Sequence, residues 1–312
     1  MKPPKLHKKD VLRVTDLSKE EMYGLFEFAE HLKKAQKSGK KTHILKDKVL
    51  AMIFEKNSTR TRVSFEVGMY QLGGSALFLS KNEIQLSRGE SVADTAKVLS
   101  RYVDGIMIRT DAHNKVTELA EEADVPVING LSDFEHPCQT LADFFTMYER
   151  NKKLEKQNLV YIGDSNNVAN SLLLGAAILG INITIVSPKK YLPDNKVIEE
   201  ARKFAKSSGT IITVSSNIAS SVQNADYLYT DVWISMGQEK EASKRKKDLA
   251  NFKISSKLMR QCPPYCKVMH CLPAHRGEEI DSDVMDSDSS IIFEQAENRL
   301  HVQKALLCAL MK

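Results

Sequence analysis

The stretch VLAMIFEKNSTRTRVSFEVGMYQLGGSALFL, Val49–Leu79, decides the fold. It opens on an apolar, β-favouring run, breaks at the polar Lys56–Arg62, resumes with apolar residues at helical spacing (Val63, Val67, Tyr70) and closes on a second apolar run. Strand, helix, strand in that order is the unit from which parallel sheets are built. The pattern continues on both sides: β-rich runs at 48–54, 75–79, 103–108, 125–128, 158–162, 181–187, 209–214, 225–230, 266–270 and 290–293 are separated by helical patterns. Runs this apolar suit strands covered by helices on both faces. Ten strands are too many for one ordinary sheet, and the charged RNKKLEKQ (Arg150–Gln157) interrupts the pattern near the middle. The expected architecture is therefore α/β, with two doubly wound parallel-sheet domains, residues 1–150 and 151–297, joined by a helix over Thr140–Arg150. Residues 298–312 carry Leu300, Val302, Ala305, Leu306, Ala309 and Leu310 at helical spacing and are expected to pack back on the first domain.

Composition narrows the function. Hydrophobic residues make up 42% and charged residues 27% of 312, which excludes disordered and fibrous classes. The net charge of +5 is spread along the chain, so no nucleic-acid footprint is present, although it would help attract small anions. There is no apolar run of about 18 residues, so no membrane span is expected. The basic MKPPKLHKKD start has no apolar segment behind it and is not read as an export signal, which points to a cytoplasmic protein. Five cysteines (Cys138, Cys262, Cys266, Cys271, Cys308) then read as reduced thiols. The spacing from Cys262 to His275 hints at zinc, but Lys267–Cys271 reads as a strand with His270 and Cys271 on opposite faces, and no metal is expected.

In open α/β sheets ligands collect at the carboxyl ends of the strands. After the first strand comes Ser58-Thr59-Arg60-Thr61 at a helix start, a natural phosphate seat. The next strands lead to Gln85, to Arg109, and to Asn129 with His136-Pro137-Cys138-Gln139. In the second half the strand ends lead to Asp164-Ser165-Asn166-Asn167, to Asp231-Val232-Trp233-Ile234-Ser235-Met236-Gly237, to Cys271-Leu272-Pro273, and to Glu297-Asn298-Arg299. Cations and amides gather in the first half, carboxylates and asparagines in the second. That asymmetry implies one substrate that is a phosphate anion and one that carries amines, held in the cleft between the domains. No phosphate-binding G-x-x-x-x-G-K-[ST], no three-glycine dinucleotide fingerprint and no G-x-S-x-G elbow is present. Each motif alone reads as a helix cap, a loop histidine or a buried thiol; together, at successive strand ends, they form a pattern.

FEKNSTRTRVSFE, HPCQTLADFFTM, DVWISMGQE and HCLPAHRGEE, in this order, resemble the aspartate/ornithine carbamoyltransferase family over nearly the whole chain from Val11. STRTR and HPCQ are shared across that family, whereas DVW with SMG, and HCLP, are similar to its ornithine branch. Ser165 and Asn170 stand where the family usually shows Gly and His, and Asn57 lies at a variable position. The resemblance implies that Ser58, Thr59, Arg60, Thr61, Gln85, Arg109, His136, Gln139, Cys271, Leu272 and Arg299 bind carbamoyl phosphate, Gln85 from a neighbouring subunit. It implies that Asn167, Asp231, Ser235 and Met236 bind ornithine, with the SMG segment closing over it, and that Arg60, Arg109, His136, Cys271 and Arg299 carry catalysis. It further implies transfer of a carbamoyl group to the ornithine δ-amine, giving citrulline and phosphate, by a homotrimer or a multiple of trimers that uses no cofactor.

Carbamoyl phosphate is already activated, so such a reaction needs placement and charge stabilisation rather than a cofactor. Two alternatives stay open at this level: a carbamoyltransferase for another amine such as putrescine, and a non-catalytic binding protein of the same fold.

Overall fold

The computed structural model describes residues 1–234 and 239–312. The chain divides into two compact units, Met1–Phe145 with Asn298–Lys312, and Thr146–Glu297.

In the first unit α1 (Lys19–Lys37) starts with a capping box between Ser18 and Glu21, which satisfies two otherwise orphaned amides. After it come β1 (Val49–Phe54), α2 (Thr59–Gln71), β2 (Ser75–Ser80), a 3-10 turn at Gln85–Arg88, α3 (Val92–Leu99), β3 (Gly105–Arg109), α4 (His113–Glu122) and β4 (Val127–Leu131). The strands form a parallel sheet in the order β2-β1-β3-β4. From Leu50 onward β1 is buried, as its unbroken apolar sequence requires of a strand covered on both faces. On one face Ala51, Ile53, Ile106, Ile108 and Val127 pack with Ala96, Val116 and Leu119 of α3 and α4.

Helix α5 (Pro137–Asn151) starts at Pro137, three residues before the expected Thr140, because proline at the first helical position supplies the right φ and lacks only an amide that would go unpaired there. The division between the units falls inside this helix, between Phe145 and Thr146.

The second unit holds β5 (Asn158–Ile162), α6 (Asn167–Leu179), β6 (Asn182–Val186), α7 (Asn195–Ser208), β7 (Ile212–Ser215), α8 (Ile218–Ser221), β8 (Tyr227–Thr230), α9 (Ala242–Leu249), α10 (Ser256–Met259), β9 (Lys267–His270) and α11 (Ser282–Met285). Its parallel sheet runs β7-β6-β5-β8-β9. Gly180 and Gly209 end α6 and α7 in the left-handed conformation that glycine adopts without strain.

The expected strand at 290–293 is not one. Ser290 makes an isolated bridge to Val268, and Ile292 already begins α12 (Ile292–Met311). Ile291 and Ile292 are buried while Phe293 is 62% exposed, a helical rather than an alternating pattern. The last helix thus starts before the expected Asn298, and its residues from Asn298 onward belong to the first unit.

There Lys304 is buried, and its ammonium donates to the Gln36 and Gln71 side-chain oxygens at 2.7 and 2.9 Å. Burial without a carboxylate partner lowers its pKa from 10.5 to about 8. The unfolded chain keeps this proton to higher pH than the folded one, so raising pH from about 8 to about 10.5 favours the folded form through this group. In urea titrations across that window the wild type is expected to gain stability relative to Lys304→Met; parallel curves for the two proteins would refute the assignment.

Candidate functional site

Strand order places the site. In the first sheet the chain moves from β1 outward to β2 and then returns to place β3 on the other side of β1. Loops leaving neighbouring strands in opposite directions open a crevice at their carboxyl ends. The residues flanking that point are Ser58–Thr61 after β1 and Arg109 at the end of β3.

Ser58 caps α2, its hydroxyl accepting from Thr61 N–H at 3.2 Å. Thr61 Oγ1 is also the meeting point for two guanidinium groups, Arg109 Nη1 at 3.4 Å and Arg299 Nη2 at 3.3 Å, while Ser58 Oγ donates to it at 3.1 Å. Three donors thus converge on one hydroxyl oxygen, and both arginine contacts are long. Arg60, on the first turn of α2, has no acidic partner among the described residues. Arg299 Nη1 donates to Gln139 Oε1 at 2.6 Å, and Gln139 Nε2 to Asp143 Oδ1 at 2.8 Å. With its amide oriented to satisfy both neighbours, Gln303 accepts from Arg299 Nη2 and Nε at 3.0 and 3.1 Å and donates to Ser64 Oγ at 2.6 Å.

His136, next to the start of α5, is buried, and burial together with the charges of Arg299 and Arg109 holds its pKa well below the ordinary imidazole value. It is therefore a neutral N–H donor beside two cations. The structure thus gathers Ser58, Thr61, Arg109, His136, Gln139 and Arg299, with Thr59 exposed at the helix start. Gln85 stands apart on the exposed 3-10 turn after β2.

The second unit repeats the geometry with opposite charge. The sheet reverses beside β5, so the crevice lies between the ends of β5 and β8. After β5 the chain turns at Gly163, whose φ of 141° favours glycine, and Asn166 caps α6 by accepting from Val168 and Ala169 N–H. Asn167 comes next, half-buried. Asp231, just past β8, is buried with both oxygens engaged: Oδ1 accepts from Cys271 Sγ and Val232 N, each at 2.8 Å, and Oδ2 from Asn166 Nδ2 at 2.6 Å. All three donors are neutral, and no described cation pairs with Asp231. By contrast Asp164, in the same loop as Asn166, forms a buried 2.7 Å ion pair with Arg245 of α9.

The holding roles of Asn166 and Gln303 were missed by reading the sequence. Asn166 succeeds the site strand and precedes the helix, the position of a cap, and that was the available signal; Gln303 gives none beyond lying one helical turn from Arg299. The expected opposition of His270 and Cys271 does not hold, because β9 ends at His270 and Cys271 lies beyond the pleat. Ligand-capable atoms of Asp231, His270 and Cys271 lie within 4.8 Å of one another. Their hydrogen bonds account for them: His270 Nδ1 accepts from Leu272 N–H, His270 Nε2 meets Glu279, and Cys271 meets Asp231. Ser235 and Met236 fall outside the described residues.

Comparison with known proteins adds the context. Residues 9–149 match the carbamoyl-P binding domain, and residues 155–310 the Asp/Orn binding domain, of aspartate/ornithine carbamoyltransferase. An ornithine carbamoyltransferase from Oceanobacillus iheyensis is 53% identical over 97% of this chain and 94% of its own length. Among solved structures, ornithine carbamoyltransferase from Pyrococcus furiosus is 49% identical with a TM-score of 0.95, covering 99% of this chain and 98% of that one. The anabolic ornithine carbamoyltransferase of Campylobacter jejuni is 44% identical with a TM-score of 0.91, covering 97% and 99%.

Proposed function

This chain belongs to the aspartate/ornithine carbamoyltransferase family, and we propose how its residues perform the chemistry. It transfers the carbamoyl group of carbamoyl phosphate to the δ-amine of L-ornithine, giving L-citrulline and phosphate, in the direction of arginine biosynthesis. The observation that carries this reading is the pairing of two strand-end sites of opposite character: a cationic, donor-rich cluster around Thr61 and a buried carboxylate, Asp231, without a cation.

Ser58, Thr59, Arg60 and Thr61 hold the phosphate at the N-terminus of α2, where helix amides and guanidinium groups point the same way. Arg109 and Arg299 clamp it further. His136, neutral because of its burial and its cationic neighbours, donates to the carbamoyl carbonyl oxygen as charge builds there, and Gln139 keeps Arg299 in place. Asp231 takes the α-ammonium of ornithine and Asn167 its carboxylate, with Ser235 and Met236 completing the acceptor site. Cys271 and Leu272 stand at the reacting end of ornithine.

The unprotonated δ-amine attacks the carbonyl carbon, a C–N bond forms, and the C–O bond to phosphate breaks with its electron pair leaving on phosphate. The amine proton passes to that departing phosphate. A free ornithine δ-ammonium titrates near lysine, about 10.4, so the cationic phosphate cluster and Cys271 serve to favour the neutral amine. No step requires a cofactor or a metal.

The assembly is proposed as a homotrimer, with Gln85 reaching carbamoyl phosphate on a neighbouring subunit. Exposed apolar side chains support this: Val63 and Tyr70 of α2 are 49% and 81% exposed, and Leu77 of the edge strand β2 is 48% exposed. A cytoplasmic location is proposed on the five free thiols; no described helix is long and apolar enough to cross a membrane.

Purified protein given carbamoyl phosphate with ornithine, putrescine or aspartate in parallel should form product with ornithine alone; product with another amine would move the acceptor assignment. Arg60→Gly should lower kcat/KM on the order of a thousandfold, chiefly through kcat, because the guanidinium acts on charge that develops as phosphate separates. Asp231→Ala should instead raise the ornithine KM roughly tenfold to a hundredfold, the worth of a hydrogen bond to a charged group; an unchanged KM would remove Asp231 from that role. Light scattering after size exclusion should give the mass of three chains or a multiple, and a monomer mass would reject the shared site.

A further inference from the structure

The turn after β9 carries Cys271 and Leu272, and its backbone is unusual. Leu272 sits at φ 60°, in the left-handed region that a non-glycine residue rarely adopts and that persists only when its surroundings fix it. A buried side chain bonds this turn. The Leu272 N–H donates to His270 Nδ1 at 2.8 Å, closing a ring between the last strand residue and the turn.

The His270 ring is fully buried and pinned on its other side by Glu279, whose Oε1 lies 3.1 Å from Nε2. Because Nδ1 must accept from a backbone amide, the neutral ring carries its proton at Nε2 and donates it to Glu279. Glu279 Oε1 is itself held by His275 N–H at 2.6 Å, and the His270 N–H is taken by Gln295 Oε1 at 2.9 Å. Backbone and ring are thus fixed at both ends, and the ring has no exposed atom with which to touch a substrate.

We propose that His270 is a positioning residue for carbamoyl transfer: held by Glu279, it locks the Cys271–Leu272 turn in the conformation that presents both residues to the reacting end of ornithine. The inference rests on the proposed reaction. It assigns to His270 no proton transfer and no substrate contact; its effect passes through the Leu272 amide to the direction of Cys271 Sγ, which meets Asp231 at 2.8 Å.

Two substitutions separate this role from a general contribution to folding, because each keeps half of the network. Asparagine places its amide oxygen near Nδ1 and can accept from Leu272 N–H, while losing Glu279. Glutamine reaches Nε2 and can meet Glu279, while leaving the Leu272 amide without its acceptor. Both lose one buried hydrogen bond, so similar falls in Tm are expected. Citrulline formation should discriminate them: His270→Asn keeps kcat within about fivefold of wild type and His270→Gln loses roughly a hundredfold, the effect of an ångström-scale misplacement, with ornithine KM changed by less than about threefold in both. Glu279→Gln, which still accepts from Nε2, should behave like His270→Asn. Equal kcat for the two His270 variants, or losses that follow Tm in all three, would overturn the positioning role while leaving the reaction intact. A wild-type protein that forms no citrulline would overturn the reaction and the positioning role with it.

Discussion

Everything at the site depends on one topological constraint: each sheet reverses its strand order beside its first strand. A parallel strand must be reached by a crossover, and crossovers on opposite faces pull neighbouring loops apart at the carboxyl edge. Beside β1 this leaves a gap flanked by the α2 N-terminus and the end of β3; beside β5 it leaves one flanked by the α6 N-terminus and the end of β8. Both gaps receive helix amides and are bounded by buried strands. Their chemistry diverges because of the few residues that each loop carries.

In the first unit those residues are donors. Thr61 is the common acceptor at which Ser58, Arg109 and Arg299 meet, so three chain segments distant in sequence converge on one hydroxyl. Side chains that gather this much positive charge repel one another, and the structure tolerates it by passing hydrogen bonds backward: Arg299 to Gln139, Gln139 to Asp143. Burial, with the same charge, keeps His136 neutral. In the proposed reaction a phosphate here meets oriented donors, and little reorganisation remains for the moment when its charge grows.

The fold was legible in the sequence because parallel strands covered on both faces are apolar without alternation, and β1, β5 and β8 are of that kind. The run at 290–293 misled for the same reason: Ile291 and Ile292 are as apolar as a strand, and only the exposed Phe293 and the helix behind it reveal the period. Residues at strand ends, such as Arg109, Asp231 and Cys271, were within reach because the carboxyl end of each strand is a fixed place to look. The roles of Asn166, Gln303 and Glu279 were not, since these residues act by holding another group, and such pairings depend on three-dimensional packing that carries no periodic trace. The expected face of Cys271 failed on a single residue, because alternation applies only while the pleat lasts.

The surroundings of the two carboxylates favour Asp231 over Asp164 as the seat of the ammonium group in the proposed reaction. Asp164 is buried against Arg245, and an incoming cation would have to displace or share a charge that is already neutralised. Asp231 is equally buried, yet its donors are an amide, a thiol and a backbone N–H. They solvate its charge without cancelling it, so the carboxylate keeps its full attraction for a cation in a place where water screens little. The arrangement has a second consequence. Cys271 is tied to the Asp231 carboxylate and sits on the turn that bonds His270, so in the proposed reaction a change in how ornithine meets Asp231 reaches the residue assigned to its δ-amine end.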